Sequence, residues 1–325
     1  MKPIRLLHIL IRAALIALAS THAAFAAYPE KPIRLIVPYA PGGTAGALSQ
    51  LVGEKLGAEL GQAIVVEPKP GANGNIASEF VARSAADGYT LLVGTISTLT
   101  INPSLYRKMS FDALKDFKPI SMLVTTSNVI VVHPALPITT IPELVQYAKA
   151  QPGKLTYGSS GAGSTLHLSG ELFKHMTGAN LTHVPYKGGG PARTDLLAGH
   201  ISLMFSDMTA LPLIQAGKLR ALAVTASKRE AAAPTIPTAN EAGLPGYVVE
   251  AWYGIVAPVG VPDAIVNRLS AAIATVLHKP EVRQRLTELG TQPAENATPE
   301  YLGKTMKADF AKWATVIKAA DITLD

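Results

Sequence analysis

Apolar residues in this chain come in short runs, each followed by a turn of glycines and small polar residues and then by a stretch with helical spacing. Residues 33–37 (IRLIV) form such a run, closed by Pro38, as a buried parallel strand would be. Residues 45–60 then place Leu48, Leu51, Val52, Leu56 and Leu60 on one helical face. Residues 64–67 predict a second strand. A second helix follows over 75–85, with Ile76, Phe80 and Val81 turned inward, and a third strand over 89–94. This β-α-β-α-β order implies a parallel sheet with right-handed crossovers.

The same rhythm restarts at a strand over 129–133. Thr140-Ile141-Pro142-Glu143 then opens a helix with the signature of a capping box. Strands follow at 155–158, 181–184, 201–205 and 219–225, each separated from the next by a helical stretch. Residues 262–289 and 299–320 are helical by their spacing. Two α/β units predict two lobes, with two parallel-type sheets and helices on both faces. Residues 27–124 and 250–325 are assigned to lobe 1 and residues 125–249 to lobe 2. The crossings are expected near 124–128 and 248–252, with a ligand cleft between the lobes.

Composition removes several classes of function. With no cysteine, a disulfide framework, a thiolate metal site, a cysteine nucleophile and a lipoprotein anchor are all excluded. Residues 1–26 read as a secretory signal: a basic start, an apolar continuation, and small residues at Ala24 and Ala26. Its removal takes Lys2, Arg5 and Arg12 with it and lowers the formal net charge from +6 to +3. No basic cluster interleaved with aromatics remains, so nucleic acid is not an expected partner. No apolar run long enough to cross a membrane remains either. The mature chain is therefore expected to be a soluble, monomeric periplasmic protein with no cofactor.

Candidate chemistry lies in the turns after the strands. These are Tyr39-Ala40-Pro41-Gly42-Gly43-Thr44, Pro70-Gly71-Ala72-Asn73-Gly74-Asn75, Ser159-Ser160-Gly161-Ala162-Gly163-Ser164 and Tyr186-Lys187-Gly188-Gly189-Gly190. In a parallel α/β sheet such turns share the carboxyl edge, where ligands bind. Each also precedes a helix, so backbone N–H groups and the positive end of the helix dipole face the cleft. Glycine allows close approach, and serine and threonine add hydroxyl donors. Together the turns predict a cage of neutral donors for an anion. Tyr39, Gly42, Gly43, Thr44, Ala45, Gly71, Ala72, Ser159, Ser160, Gly161, Gly163, Ser164, Thr165 and Tyr186 are the candidate ligand contacts. Asp195, inside the helix after the triple glycine, and Asp207, after the strand at 201, either point an acceptor into the cleft or face solvent.

Enzyme motifs are missing. Ser159 and Ser160 sit in a strand-to-helix turn but not at the spacing of a nucleophile elbow, which leaves a hydrolase as the alternative reading. There is no phosphate-binding glycine loop, and no histidines at metal-ligand spacing. His167 is the one histidine placed near the cleft, and it reads mainly as a polar packing residue.

Several segments together resemble the periplasmic solute-binding receptors of the tripartite tricarboxylate transporter family, also called Bug proteins. They are YPEKPIRLIVPYAPGG at Tyr28, EPKPGANGNIA at Glu67, DGYTLLVG at Asp87, YGSSGAGSTLHLSGELF at Tyr157, HVPYKGGGPARTDLLAGHISLMF at His183 and EAGLPGY at Glu241. The resemblance implies a two-lobed, type II-like periplasmic-binding-protein fold that is not an enzyme. It further implies that a small organic carboxylate is held at residues 39–45 and 159–165 and by Asp195. The implied partners are the membrane permease subunits of a tripartite tricarboxylate transporter, or a sensor kinase. The sequence departs from the family at Gly46 and Gln50, where relatives often carry an aspartate and an arginine.

Overall fold

The computed structural model describes residues 28–319, and the proposed signal segment lies outside them. Strand β1 (Ile33–Val37) is almost wholly buried and pairs in parallel with β2 (Ile64–Pro68) on one side and β3 (Thr90–Thr95) on the other. Helix α1 (Thr44–Leu60) and helix α2 (Asn75–Ala82) make the crossovers. The second helix ends earlier than its spacing predicts, at Arg83. Helix α1 stops where Gly61 turns left-handed (φ 72°) and its N–H bonds the Gly57 carbonyl, a glycine C-cap.

A second group of parallel strands is formed by β5 (Leu155–Ser159), β6 (Leu181–Pro185) and β7 (Leu203–Asp207). Helix α3 (Ile141–Ala150), whose capping box of Thr140 and Glu143 is formed as predicted, leads into β5, and α4 (Thr165–Thr177) and α5 (Gly189–Leu197) run between the three strands. Two long strands tie the groups together. Strand β4 (Phe117–Val132) is 16 residues long and β9 (Glu250–Pro258) nine, and they pair antiparallel. The strand order is β2-β1-β3-β9-β4-β7-β5-β6, with β8 (Arg220–Val224) and β10 (Thr291–Pro293) also on β4. The two-lobed α/β architecture thus rests on one continuous sheet. Each half is parallel at its outer strands and antiparallel at the centre, so the two expected sheets are present and share the long strand β4.

Strand β4 changes partners midway. Up to Ser127 it pairs with β9, and from Asn128 with β7 and β8. The residues at the change are polar, and their side chains are anchored. Thr126 Oγ1 donates to Gly290 O (3.0 Å), Ser127 Oγ to Glu230 Oε1 (2.6 Å) and Asn128 Nδ2 to Ser169 Oγ (2.8 Å). Apolar runs on either side feed different cores, Ile120 to Val124 on one and Val129 to Val132 on the other.

The C-terminal region returns to the β1 half. Leu269, Ile273 and Val276 of α6 (Asp263–His278) share a core with Leu48, Val52 and Leu56 of α1. Leu302 and Met306 of α8 (Pro299–Ala319) join Trp252 and Phe117. The single helical stretch predicted over 262–289 is broken. Lys279 adopts an extended ψ of 126°, and Pro280 starts α7 (Pro280–Glu288). A proline disfavours helical geometry in the residue before it, which accounts for the break.

Candidate functional site

The carboxyl ends of β1, β3, β5 and β7 meet at the junction of the two halves, where the chain leaves a cavity of about 20 Å³, room for about one water molecule. Tyr39, Gly43, Thr44 and Ala45 line it from the turn after β1, and Ser160 and Thr165 from the turn after β5. Asp207 lines it from the end of β7. These seven are sequence-predicted residues that the fold brings together.

The remaining candidates serve the walls. Gly71 and Ala72 form a strained turn, with φ of 46° at Ala72 and 48° at Asn73, that buries Asn73 behind Tyr39. Asn73 Nδ2 donates to Asn102 Oδ1 at 2.8 Å, and the Tyr39 hydroxyl reaches Asn73 Oδ1 at 3.4 Å. Tyr186 and Asp195 bond each other at 2.7 Å, and Asp195 also faces His200. Neither of the two lines the cavity.

Ser159, Gly161, Gly163 and Ser164 form a self-contained turn. Ser159 is 0% exposed, and its Oγ accepts from Gly161 N at 3.1 Å and pairs with His183 Nε2 at 2.6 Å. Gly163 N donates to His167 Nδ1 at 3.0 Å, and Ser164 caps α4 by accepting from His167 N. His167 and His183 stack with ring centroids 4.0 Å apart, above the Tyr157 ring. Burial, then the neighbouring His167, pulls the His183 pKa down to about 3, against the opposing pull of Glu171. Burial lowers His167 as well. Both rings are therefore neutral near neutral pH, and His167 Nδ1 is an acceptor for the turn. The Ser159–His183 pair has the distance of a nucleophile and its base, yet Ser159 is sealed from the cavity and its hydroxyl holds the turn.

Several lining residues carry no glycine-turn signal. Thr95, Ile96 and Ser97 follow β3, and Trp252 and Tyr253 project from β9. That β3 end is also a strand-to-helix transition, so its position, not its composition, was the available signal. Burial raises the phenol pKa of Tyr39, and burial followed by the Asp207 and Tyr39 charges raises that of Tyr253, so both stay protonated donors. Thr44 is 1% exposed, and its Oγ1 faces the Tyr253 phenol without a hydrogen bond of normal geometry.

The sequence also hid a cation. Arg193, on α5, bonds Asp207 Oδ1 at 3.1 Å, with the two side chains 9% and 8% exposed. Its Nη2 donates to the Gly42 carbonyl across the cleft, and Thr209 Oγ1 reaches the same carbonyl at 3.4 Å. Ala40 N donates to Lys187 O at 3.0 Å. Lys187 itself points its charge to solvent. The halves touch so closely here that a Cβ on Gly190 would collide with the Pro41 carbonyl. Asp207 is the one charged residue among those lining the cavity. The site is a polar slot of neutral donors, clasped shut along one rim.

The chain is similar to known proteins over most of its length. The model of the tripartite tricarboxylate transporter family receptor matches residues 48–322. Protein BugT of Bordetella pertussis is 36% identical over 293 residues, covering 90% of each chain. Among solved structures, Rpa4515 of R. palustris with adipate has a TM-score of 0.88 at 38% identity, covering 91% of this chain and 99% of that one. MatC from Rhodopseudomonas palustris with bound malate has a TM-score of 0.85 at 32% identity, covering 89% and 100%.

Proposed function

Because the chain belongs to the tripartite tricarboxylate transporter receptor family, we propose that it captures a small organic carboxylate between its lobes outside the cytoplasm and delivers it to the membrane permease of such a transporter. The observation that carries this reading is the convergence of four strand ends on one polar slot. There Thr44 Oγ1 lies buried without a hydrogen bond of normal geometry, and the other donors are neutral. Neutral donors at helix N-termini stabilise a carboxylate without a salt bridge. Two solved relatives hold adipate and malate, both carboxylates. Candidate contacts are Tyr39, Gly43, Thr44, Ala45, Ser160, Thr165 and Asp207. Gly42, Gly71, Ala72, Ser159, Gly161, Gly163, Ser164, Tyr186 and Asp195 shape the walls that present them.

The lobes divide at the polar middle of β4 and the start of β9: residues 27–124 and 250–325 against residues 125–249. The first 26 residues direct export to the periplasm and are cleaved. Among the described residues no helix is long and apolar enough to cross a membrane, in keeping with delivery to a separate permease.

A thermal-shift screen over mono-, di- and tricarboxylates tests the reading. A ligand at about 100 times its dissociation constant adds roughly 2.7 kcal/mol of stability. Silence across the whole screen, or turnover of the added acid, overturns the assignment. N-terminal sequencing of the exported protein tests the cleavage, and uptake of the identified acid with and without the permease genes tests delivery.

A further inference from the structure

Asp207 uses its two carboxylate oxygens very differently. Oδ1 is fully engaged: it accepts from Arg193 Nη1 at 3.1 Å, from the Thr209 amide at 3.2 Å and from the Thr209 hydroxyl. Among the described residues Oδ2 has a single weak hydrogen-bond partner, the Thr44 amide at 3.4 Å. An ionised carboxylate oxygen has room for more than one donor, and charge-assisted bonds normally close to about 2.7–2.9 Å. The side chain is 8% exposed and lines the cavity, so a group held in the cavity can reach this oxygen. Its neighbour in the same wall is Thr44, whose hydroxyl is also without a hydrogen bond of normal geometry. Gly43 and Gly189 flank Oδ2 so closely that a Cβ on either would lie 3.0 or 2.7 Å from it, which keeps this face of the carboxylate clear of side chains.

The Arg193 guanidinium does not compensate at this face. It binds the opposite oxygen and turns its other nitrogen to the Gly42 carbonyl. A ligand entering the slot therefore meets neutral donors on the β1, β3 and β5 walls and one under-coordinated anionic acceptor at the end of β7. An underused buried acceptor favours a ligand that donates to it and disfavours one that brings a second negative charge beside it.

We propose that Asp207 is a specificity-determining residue, and that the preferred ligand is a carboxylate that also carries a hydroxyl, amine or amide donor placed against Oδ2. This rests on the carboxylate-receptor reading and narrows it. It separates the chain from a receptor for an unsubstituted dicarboxylate such as adipate, which at neutral pH has acceptors only.

Matched ligands test it. Isothermal titration at neutral pH compares butanoate and succinate with 2-, 3- and 4-hydroxybutanoate and the corresponding aminobutanoates. Hexanoate, adipate, 6-hydroxyhexanoate and 6-aminohexanoate provide a second skeleton. The expected result is at least tenfold tighter binding by one donor-bearing acid than by the unsubstituted mono- and dicarboxylates of the same skeleton. Asp207→Asn keeps the shape and replaces the acceptor facing the slot with an amide donor, so the preference collapses or reverses toward succinate or adipate. A purely structural role for Asp207 would instead weaken every ligand by a similar factor. Equal affinity of the wild type for unsubstituted and donor-bearing acids overturns the inference, as does a folded Asp207→Asn that keeps the original preference. If the variant fails to fold, the wild-type series alone decides. Failure of every carboxylate in the wider screen overturns the receptor reading; binding without discrimination overturns only this narrower one.

Discussion

The turn after β1 and the turn after β5 look alike as sequence, both rich in glycine and hydroxyl side chains at the start of a helix, but the fold uses them in opposite ways. In the β5 turn nearly every polar group is bonded at home. Ser159 holds Gly161 and His183, His167 takes the Gly163 amide, and Ser164 caps α4. The β1 turn leaves its groups open. Gly43 gives α1 no side-chain cap, Thr44 Oγ1 has no bond of normal geometry, and the Gly42 carbonyl is taken only from the opposite half. One turn is braced from within and turns only Ser160 and Thr165 to the cavity; the other is left open to the cavity and to the opposite half. A shared composition at two strand ends does not imply a shared role; what matters is whether neighbouring side chains have already claimed the donors.

Substitutions that respect or violate this division sharpen it. The largest effect is expected at the contact between the halves. Gly190→Val puts a branched side chain against the Pro41 carbonyl, so the variant should fold but lose carboxylate affinity by about 100-fold or more. Unchanged affinity by calorimetry would mean that the contact is not part of the ligand-bound form.

Next comes a paired test of the two turns. Ser159→Ala removes the hydroxyl that satisfies Gly161 N and His183 and should cost about 1–3 kcal/mol of stability, read by denaturant titration. Thr44→Val should leave stability nearly unchanged while weakening carboxylate binding about tenfold, close to the loss of one hydrogen bond to a charged group. The reverse pattern would exchange the roles of the two turns.

The third effect depends on pH. His183 titrates near 3 in the folded protein against a usual value of 6.5, so the unfolded chain takes up the proton first as pH falls. Stability should be undiminished by this group above about pH 6.5, decline below it, and reach its full loss near pH 3. His167, shifted in the same direction, adds to the slope. Melting temperatures of His183→Gln across pH 7 to 4 should fall less steeply than those of the wild type. Smallest of all is Lys187→Ala: this exposed cation should contribute less than about 1 kcal/mol to binding.

Much of this organisation is legible in the sequence because it follows from periodicity. Alternation of buried runs and helical faces exposes the α/β units, and Thr140 with Glu143 announces a helix start that needs only local chemistry. The polar stretch Thr125-Thr126-Ser127-Asn128 between two apolar runs marks where β4 changes partners. Features that depend on side-chain direction are not legible. Nothing in the order of residues says that Ser159 turns toward His183, 24 positions away, while Ser160 faces the cavity. Arg193 and Asp207 meet only because α5 packs beside β7, and Trp252 and Tyr253 reach the slot from a strand whose later residues, Ile255, Val256 and Ala257, serve the core. That the two expected sheets share one strand is likewise a tertiary outcome, set by the length of β4.

The clasp across the rim has a kinetic consequence. Arg193 bonds the Gly42 carbonyl and Ala40 N bonds the Lys187 carbonyl from one half to the other, so capture of an acid between the halves requires these bonds to open first. Association must pass through an opened form, whose rate of appearance belongs to the protein alone. Stopped-flow traces should therefore give an observed rate that rises with acid concentration and then levels off. The plateau reports how fast the Arg193–Gly42 clasp lets go, and Arg193→Leu should raise it.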